Sequence, residues 1–193
     1  MATGRGRRSS DPITRVLLIG FMGSGKTLVG QALADRLEWG FRDFDQEIKI
    51  RVGLPIPEIF RQHGEGRFRE VEEQVGRDLL NGTRCVLASG GGWPAALGRM
   101  ESLPQGTLSV WLQVTPEEAV RRIRKEGPTR PLLAVSDPVG RARDLLASRE
   151  PYYAEAQVGL DSVGKTPEEL AEEIEAIMNE MGQGVSPAPP APA

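Results

Sequence analysis

Cysteine and histidine are almost absent from this sequence, with one residue of each among 193. The single cysteine, Cys85, excludes a disulfide framework and is expected in a buried strand, which suits a reducing cytoplasm. The single histidine, His63, excludes a metal site built from several histidines. No apolar run approaches the roughly 20 residues of a membrane helix, and the net charge of -3 shows no basic surface for nucleic acid. We therefore expect a cytoplasmic protein with no membrane and no nucleic acid among its partners.

Both ends of the chain lack the apolar periodicity of folded structure. Residues 1–13 are basic without an apolar segment, and residues 182–193 are rich in proline and alanine, so we predict two disordered tails. Residues 14–181 between them have the length of one ordinary domain, which can bury a core without disulfides or metals.

Short apolar segments alternate with helical periodicity along residues 14–181. The predicted strands are 15–20, 41–45, 84–89, 107–114 and 156–161. The predicted helices are 26–37, 46–52, 56–62, 65–80, 94–101, 116–126, 139–149 and a last one from Pro167 to Met178. This alternation predicts the α/β class, with a five-stranded parallel sheet, helices on both faces, and ligands beyond the carboxyl ends of the strands.

A phosphate-binding motif, GFMGSGKT at Gly20–Thr27, follows the first predicted strand and opens the first predicted helix. Its glycines let the backbone wrap a phosphate group, while the loop amides and the helix N-terminus supply positive potential. The lysine reaches the outer phosphates, and the threonine hydroxyl can coordinate Mg²⁺. A glycine-rich turn that matches by chance is the alternative. The predicted nucleotide contacts in the motif are Gly23, Ser24, Gly25, Lys26 and Thr27.

Two aspartates, Asp43 and Asp45, stand one residue apart at the end of the second predicted strand. Side chains at i and i+2 of a strand share one side, so their charges repel unless a cation lies near them. We expect Asp43 to face Mg²⁺, directly or through water, because the third strand ends without an aspartate. We expect Asp45 to face an acceptor hydroxyl, as its base or to orient it. Alternatively, Asp45 caps the helix at 46–52.

Two further segments carry candidate ligand contacts. Arg69 lies three residues before Glu72 and four after Glu65, a helical spacing at which either carboxylate can hold the guanidinium. A solvated charged face is the alternative there. Three consecutive glycines at 90–92 follow the third strand, and they either bring backbone amides close to a ligand or form a plain turn.

Residues 127–138 are rich in proline and glycine, interrupt the helical pattern and have the composition of a mobile lid. Arg130 within this segment can stabilise charge on a transferring phosphoryl group. Arg149 is expected at a helix end stopped by Pro151, where it either binds a carboxylate or complements the helix dipole.

Together these motifs resemble the shikimate kinase family from Val16 to about Ile177. The resemblance is carried by the phosphate loop, DFDQEI, IPEIFRQHGEGRFREVE, the triple glycine, RPLL and SREPYY, in that order. It implies a P-loop NTPase fold of the nucleoside monophosphate kinase type, with a mobile lid. It also implies that a monomer using Mg²⁺ transfers the γ-phosphoryl group of ATP to the 3-hydroxyl of shikimate, a step towards chorismate and the aromatic amino acids. Pro55 departs from the family pattern but removes no catalytic group.

The resemblance implies residue roles at the acceptor. Asp45 would take the 3-hydroxyl, while Arg69 and Arg149 would grip the carboxylate. The contacts from the glycine loop would come from Gly90, Gly91 and Gly92.

Metal and nucleotide roles follow from the same resemblance. Thr27 and Asp43 would serve Mg²⁺, and Lys26 and Arg130 would act with Asp45 as the catalytic residues. Beyond the phosphate loop, the resemblance implies that Arg130 and Arg122 contact the nucleotide. Arg121 or Arg124 could replace Arg122, since the segment from 122 to 130 is one residue longer than usual. The segment Lys165–Pro167 would lie near adenine.

Three other functions match parts of this pattern. A same-fold kinase for an acceptor such as gluconate would share the phosphate loop but need not pair Arg69 with Arg149. A non-catalytic regulator would bind nucleotide or shikimate without turnover. The presence of Lys26, Asp43, Asp45 and Arg130 argues against it. A nucleoside-phosphate kinase would need a segment that reads a nucleobase, and none is obvious.

Overall fold

A single parallel sheet forms the centre of the protein. The computed structural model describes residues 12–126, 133 and 135–183. The strands are β1 (Arg15–Ile19), β2 (Gly40–Asp43), β3 (Cys85–Ala88), β4 (Thr107–Gln113) and β5 (Val158–Asp161). They pair in parallel in the order β2-β3-β1-β4-β5 as a 5-stranded sheet, which confirms the predicted strand number and direction.

Six helices connect and cover these strands within the described residues. They are α1 (Lys26–Leu37), α2 (Phe44–Val52), α3 (Ile56–Leu80), α4 (Pro116–Glu126), α5 (Pro138–Tyr153) and α6 (Pro167–Gln183). Three of them begin at a proline, whose fixed φ suits the first helical turn and whose missing N–H has no partner there in any case. None of the helices in this part of the chain is long and apolar enough to cross a membrane.

The core lies on both faces of the sheet. Leu17 and Ile19 of β1 pack into a buried cluster with side chains of α2, α3, α4 and α5. Val16 and Leu18, which alternate with them and point the opposite way, pack with side chains of α1 and α6. The predicted covering of both faces is therefore confirmed. Because the strands are parallel, their carboxyl ends lie along one edge of the sheet.

The second strand ends earlier than predicted, and this changes the geometry of the two aspartates. β2 stops at Asp43, whose side chain accepts hydrogen bonds from the backbone N–H groups of Asp45 and Gln46 and caps α2. The expectation that Asp43 and Asp45 lie on one strand is wrong, because this cap starts the helix at Phe44. The alternative that Asp45 itself is the cap is also wrong.

Three helix predictions need correction. Residues 94–101 form turns instead of a helix, since Pro94 and the positive φ of 73° at Gly98 interrupt the backbone. The segments 56–62 and 65–80 join into α3, with a non-helical kink only at Gly64. α5 runs past Pro151 to Tyr153, because the buried Tyr153 ring and hydrogen bonds from the N–H of Ala154 hold its last turn.

Several predicted segments lie wholly or mostly outside the described residues. These are the two tails, most of the lid at 127–138 and, within the lid, Arg130. Leu133 is the described exception in this stretch, and it is buried in the same cluster as Leu17.

Candidate active site

The phosphate loop connects β1 to α1 through backbone conformations that only glycine adopts easily. Gly23 has a φ of 75°, and a Cβ there would lie 2.9 Å from the carbonyl oxygen of Ala119. Gly25 has a φ of 92° and forms the N-cap of α1 without a capping side chain. The N-terminal amides of α1 and their positive potential therefore lie at the carboxyl end of β1, as the motif predicts.

Lys26 folds over the loop that precedes it. Its Nζ donates hydrogen bonds of 2.9 Å to the carbonyl oxygens of Gly20 and Phe21, and one of 3.4 Å to the hydroxyl of Ser24. Ser24 is itself completely buried. The ammonium group thus lies within the loop that is predicted to hold the phosphates.

The two predicted metal ligands lie in direct contact. The Thr27 hydroxyl donates a hydrogen bond of 2.8 Å to Oδ2 of Asp43, while Oδ1 of the same carboxylate caps α2. A hydroxyl and a carboxylate, both oxygen donors, therefore share one point between α1 and β2.

Asp45 lies on the first turn of α2 and faces the triple glycine after β3. A Cβ at Gly90 would lie 3.0 Å from Oδ1 of Asp45 and 3.1 Å from Oε1 of Glu72. Two carboxylates and the glycine loop therefore meet at this point. The close approach explains why no larger residue fits at Gly90 without displacing one of them.

Arg69 is held by both predicted acidic partners. Its Nη1 donates to Glu72 at 2.7 Å, and its Nη2 donates to Glu65 at 3.2 Å. Burial would lower the pKa of Arg69, but the hydrogen bonds and charges of the two glutamates outweigh it and raise the pKa. Burial raises the pKa of Glu72, against the hydrogen bond and charge of Arg69. The prediction that these glutamates position Arg69 is confirmed, and the solvated-face alternative fails because Glu72 is only 2% exposed.

The glycine loop also reaches the two arginines. A Cβ at Gly92 would lie 3.0 Å from Nη1 of Arg69, and a Cβ at Gly91 would lie 3.6 Å from Nη1 of Arg149. The same position at Gly91 is 3.4 Å from the backbone nitrogen of Met22 in the phosphate loop. The structure therefore brings the glycine loop into contact with both arginines and with the phosphate loop.

Tyr153 is a part of this cluster that the sequence patterns did not single out. Its hydroxyl and Nη1 of Arg149 both donate hydrogen bonds to the carbonyl oxygen of Gly91. Burial raises the pKa of Tyr153 to about 12, although the charge and hydrogen bond of Arg149 act in the opposite direction. The spacing of four residues from Arg149 is the signal in the sequence that would have found it.

Within the part of the chain that the structure describes, Arg122 is the one of the three candidate arginines of α4 with a hydrogen bond to the phosphate loop. Its guanidinium donates to the carbonyl oxygen of Gly23 at 3.2 Å and to the backbone oxygen of Ser162 at 2.6 Å. It also donates to Glu118 at 2.7 Å, whose pKa falls to about 2 because Arg121 and Arg122 hydrogen-bond to it. The structure thus favours Arg122 over Arg121 and Arg124 for the nucleotide side of the site.

Lys165 lies at the entry to α6. Its Nζ pairs with Glu173 at 2.6 Å, and no hydrogen bond joins it to the phosphate loop within the described residues. The neighbouring Thr166 caps α6 in a reciprocal pair with Glu169. These contacts give the segment a structural role and leave its adenine contact as a prediction.

Two buried polar groups beside the glycine loop were also missed from the sequence. The Ser89 hydroxyl and the Trp93 indole N–H have no hydrogen-bond partner among the residues described. The Trp93 ring packs edge-on against Phe44 at 5.3 Å, and a Cβ at Gly76 would lie 2.4 Å from its Nε1. Trp93 therefore fixes the glycine loop against α2 and α3, and only glycine at position 76 leaves room for the indole.

The model of the family described as shikimate kinase matches residues 22–179. The chain belongs to the shikimate kinase family. A shikimate kinase from Moorella thermoacetica is 44% identical over 163 residues, which cover 84% of this chain and 93% of that protein. The family resemblance seen in the sequence is therefore confirmed.

Solved structures agree with the fold of this family. A shikimate kinase from Acinetobacter baumannii, solved in complex with shikimate, superposes with a TM-score of 0.81 at 35% identity. The superposition covers 87% of this chain and 94% of the Acinetobacter chain. A gluconokinase from Sinorhizobium meliloti has a TM-score of 0.57 at 19% identity, over 89% and 94% of the two chains, and it shows a shared fold. The P-loop kinase fold of the nucleoside monophosphate kinase type is therefore confirmed.

Proposed function

We propose that this protein transfers the γ-phosphoryl group of ATP to the 3-hydroxyl of shikimate, giving shikimate 3-phosphate and ADP. The observation that carries the proposal is the meeting of Asp45, Arg69 and Arg149 around the glycine loop, 90–92, beside the phosphate loop. Membership of the shikimate kinase family supports it, and so does the relative from Acinetobacter baumannii that was solved with shikimate bound.

The two arginines suit an acceptor that carries a carboxylate. Arg69 approaches the glycine loop from α3 and Arg149 approaches it from α5, so their charges reach the same loop from two elements. A guanidinium presents planar pairs of N–H donors that match the two oxygens of a carboxylate. Glu72 and Glu65 hold Arg69 in place before the acceptor arrives, which reduces the cost of ordering the long side chain.

Asp45 is the proposed partner of the reacting hydroxyl. It lies at the glycine loop, next to the buried Glu72 and two residues past Asp43, the helix cap. Phosphoryl transfer needs little covalent chemistry from the protein, so a carboxylate acts here by orienting the hydroxyl and accepting its proton.

Mg²⁺ is the proposed metal, with Thr27 and Asp43 as its protein ligands. The hydroxyl and carboxylate oxygens in contact at 2.8 Å are the hard donors that Mg²⁺ prefers. No cluster of three or more acidic, cysteine or histidine side chains suited to a metal occurs within the described ranges. This fits an ion that is held by one or two protein oxygens together with nucleotide phosphates, and whose charge offsets the charge of the transferred group.

Nucleotide binding is proposed for the phosphate loop from Gly23 to Thr27 together with Arg122 and Lys165. Arg122 already contacts the carbonyl oxygen of Gly23, which supports a position near the phosphates. Lys26 and the lid residue Arg130 are the proposed groups that stabilise charge on the phosphoryl group.

We further propose that the protein is a monomer and acts in the cytoplasm. We also propose that it consists of one domain, residues 14–181, with a disordered tail at either end. Cys85, the free thiol in β3, is buried, and burial raises its pKa, so it is poorly suited to pairing with a second thiol. The mass in solution, measured by light scattering on the full chain, tests the monomer.

The test of the proposed function is ADP release from MgATP in a coupled assay with shikimate, gluconate, quinate or no acceptor. We expect turnover that depends on shikimate. Turnover with gluconate or quinate in its place would keep the phosphate-loop chemistry and reassign Arg69 and Arg149. Binding of ATP and shikimate without turnover would favour a regulator, so isothermal titration with each ligand is measured beside the assay.

A further inference from the structure

The carbonyl oxygen of Gly91 is held by two donors from one helix. Arg149 donates to it through Nη1 at 3.3 Å, and the Tyr153 hydroxyl donates to it as well. The two side chains are four residues apart on α5 and so lie on the same face of the helix. A carbonyl oxygen has two lone pairs and can accept both bonds at once.

The surroundings of Tyr153 hold its side chain in one position. Its side chain is fully buried, and its ring packs on Trp111 with centroids 5.9 Å apart. A buried phenol needs a hydrogen-bond partner, and Gly91 supplies it. Burial also raises the pKa of Tyr153 to about 12, so the hydroxyl keeps its proton and remains a donor at neutral pH.

A fixed carbonyl at Gly91 fixes more than one atom of the loop. The peptide unit between Gly91 and Gly92 is planar, so holding its oxygen also sets the direction of the Gly92 N–H. Three glycines in succession have more conformational freedom than any other tripeptide, and they have no side chains of their own to anchor them. The anchor therefore has to come from a neighbouring element, which here is α5.

The same anchor sets the distance between the loop and both acceptor arginines. Arg149 shares the Gly91 oxygen with Tyr153, and a Cβ at Gly92 would lie 3.0 Å from Arg69. If the Gly91 carbonyl turned away, Arg149 would lose a bond and the space beside Arg69 would change.

We propose that Tyr153 is a positioning residue for the acceptor site: its hydroxyl holds the loop of residues 90–92 against Arg149, so that the loop and both arginines are preformed for a small anionic acceptor. This inference rests on the proposed function and adds to it a residue outside the phosphate, acid and arginine motifs. A preformed site loses less entropy on binding, so the effect falls on acceptor affinity more than on nucleotide affinity.

The test uses the full chain with Tyr153→Phe, which removes the hydroxyl and keeps the ring against Trp111. The matched control is Tyr152→Phe, since the neighbouring tyrosine has no side-chain hydrogen bond among the described residues. We expect the shikimate Kd and KM of Tyr153→Phe to rise about five- to tenfold, the usual weight of one buried hydrogen bond. The KM for MgATP, kcat at saturating shikimate and the circular dichroism spectrum should match those of Tyr152→Phe.

Each outcome decides between distinct conclusions. A shikimate Kd in Tyr153→Phe equal to that of Tyr152→Phe overturns the positioning role. So does an equal loss of shikimate and ATP affinity, or a loss of native circular dichroism, because either one indicates a general structural role. Turnover of shikimate by the unchanged protein is measured first. If the protein turns over shikimate, the proposed function stands whatever the result for Tyr153→Phe. If it does not, both proposals are overturned.

Discussion

The Thr27 hydroxyl lies 2.8 Å from Oδ2 of Asp43, and this contact joins the first turn of α1 to the end of β2. The two residues are 16 positions apart in the chain, and β1, the strand that leads into α1, is separated from β2 in the sheet by β3. Because the other oxygen of Asp43 caps α2, one carboxylate links the phosphate loop, the second strand and the helix that carries Asp45. The proposed metal position and the proposed base are thus held in a fixed relation.

The first prediction concerns the Thr27 hydroxyl. Replacing Thr27 with valine keeps the shape of the side chain but removes the oxygen donor, so we expect the Mg²⁺ concentration at half-maximal activity to rise about tenfold or more. Thr27→Ser keeps the hydroxyl and should stay within about twofold of the unchanged protein. The readouts are Mg²⁺ titrations of turnover and of ADP binding by calorimetry. Equal Mg²⁺ requirements in the two variants would remove Thr27 from the metal site.

The second prediction concerns Asp45. The Asp45→Asn variant keeps the size of the side chain but cannot accept a proton, so we expect kcat to fall by about 10²- to 10⁴-fold. The Kd of MgATP should change little, because Asp45 lies at the glycine loop, where the acceptor is proposed to bind. Steady-state kinetics and nucleotide titration measure the two quantities. A matched loss of turnover and of MgATP affinity would place Asp45 at the metal instead.

The third prediction concerns the space at Gly92. A Cβ there would lie 3.0 Å from Nη1 and 3.4 Å from Nη2 of Arg69, so Gly92→Ala must displace the guanidinium. We expect the KM for shikimate to rise about tenfold, the effect of about 1.4 kcal/mol, with the KM for MgATP unchanged. Gly182→Ala is the control, since a Cβ at that position of α6 meets nothing within 4 Å. If both alanine variants keep the original shikimate KM, Arg69 does not bind the acceptor in the position seen here.

The fourth prediction concerns the pH dependence of stability through Glu72. Burial raises its folded-state pKa above 4.5, so the folded protein binds this proton more tightly than the unfolded chain does. The stability that Glu72 contributes is therefore complete below about pH 4.5 and is lost as pH rises through the raised pKa. The effect is isolated by subtracting the unfolding free energy of Glu72→Gln from that of the unchanged protein. We expect this difference to fall as pH rises above about 4.5.

Glu118 provides the opposite sign as a control for that experiment. Hydrogen bonds from Arg121 and Arg122 lower its pKa from 4.5 to about 2, so its contribution is present above pH 4.5 and is lost as pH falls towards 2. The same subtraction is made for Glu118→Gln, with unfolding free energies from urea titrations. We expect this difference to stay constant over the pH range above about 4.5, in which the difference for Glu72→Gln falls. A flat difference for Glu72→Gln over the same range would show that Arg69 cancels the effect of burial.

Much of this protein was predictable because its signals are local. The alternation of apolar strands and helical periodicity predicted the parallel sheet, and GFMGSGKT predicted the loop between β1 and α1. The sequence also predicted the two ion pairs of Arg69, with Glu65 and with Glu72, because a helix brings together residues that are three or four positions apart. The errors were local as well. The end of β2, the turns at 94–101 and the end of α5 depend on caps and buried side chains that a periodicity does not reveal.

The sequence by itself determined the fold class, the phosphate loop and the residue types available for the chemistry, because each of these depends on residues that are close in the chain. Only the tertiary structure decided which of them meet. Arg149 reaches Gly91 across 58 positions, Tyr153 reaches it across 62, and Arg122 reaches Gly23 across 99. It also decided that Asp43, and not Asp45, caps α2. Spacing cannot predict such contacts, since they arise where parallel strands and the helices packed on them bring distant loops to one edge of the sheet.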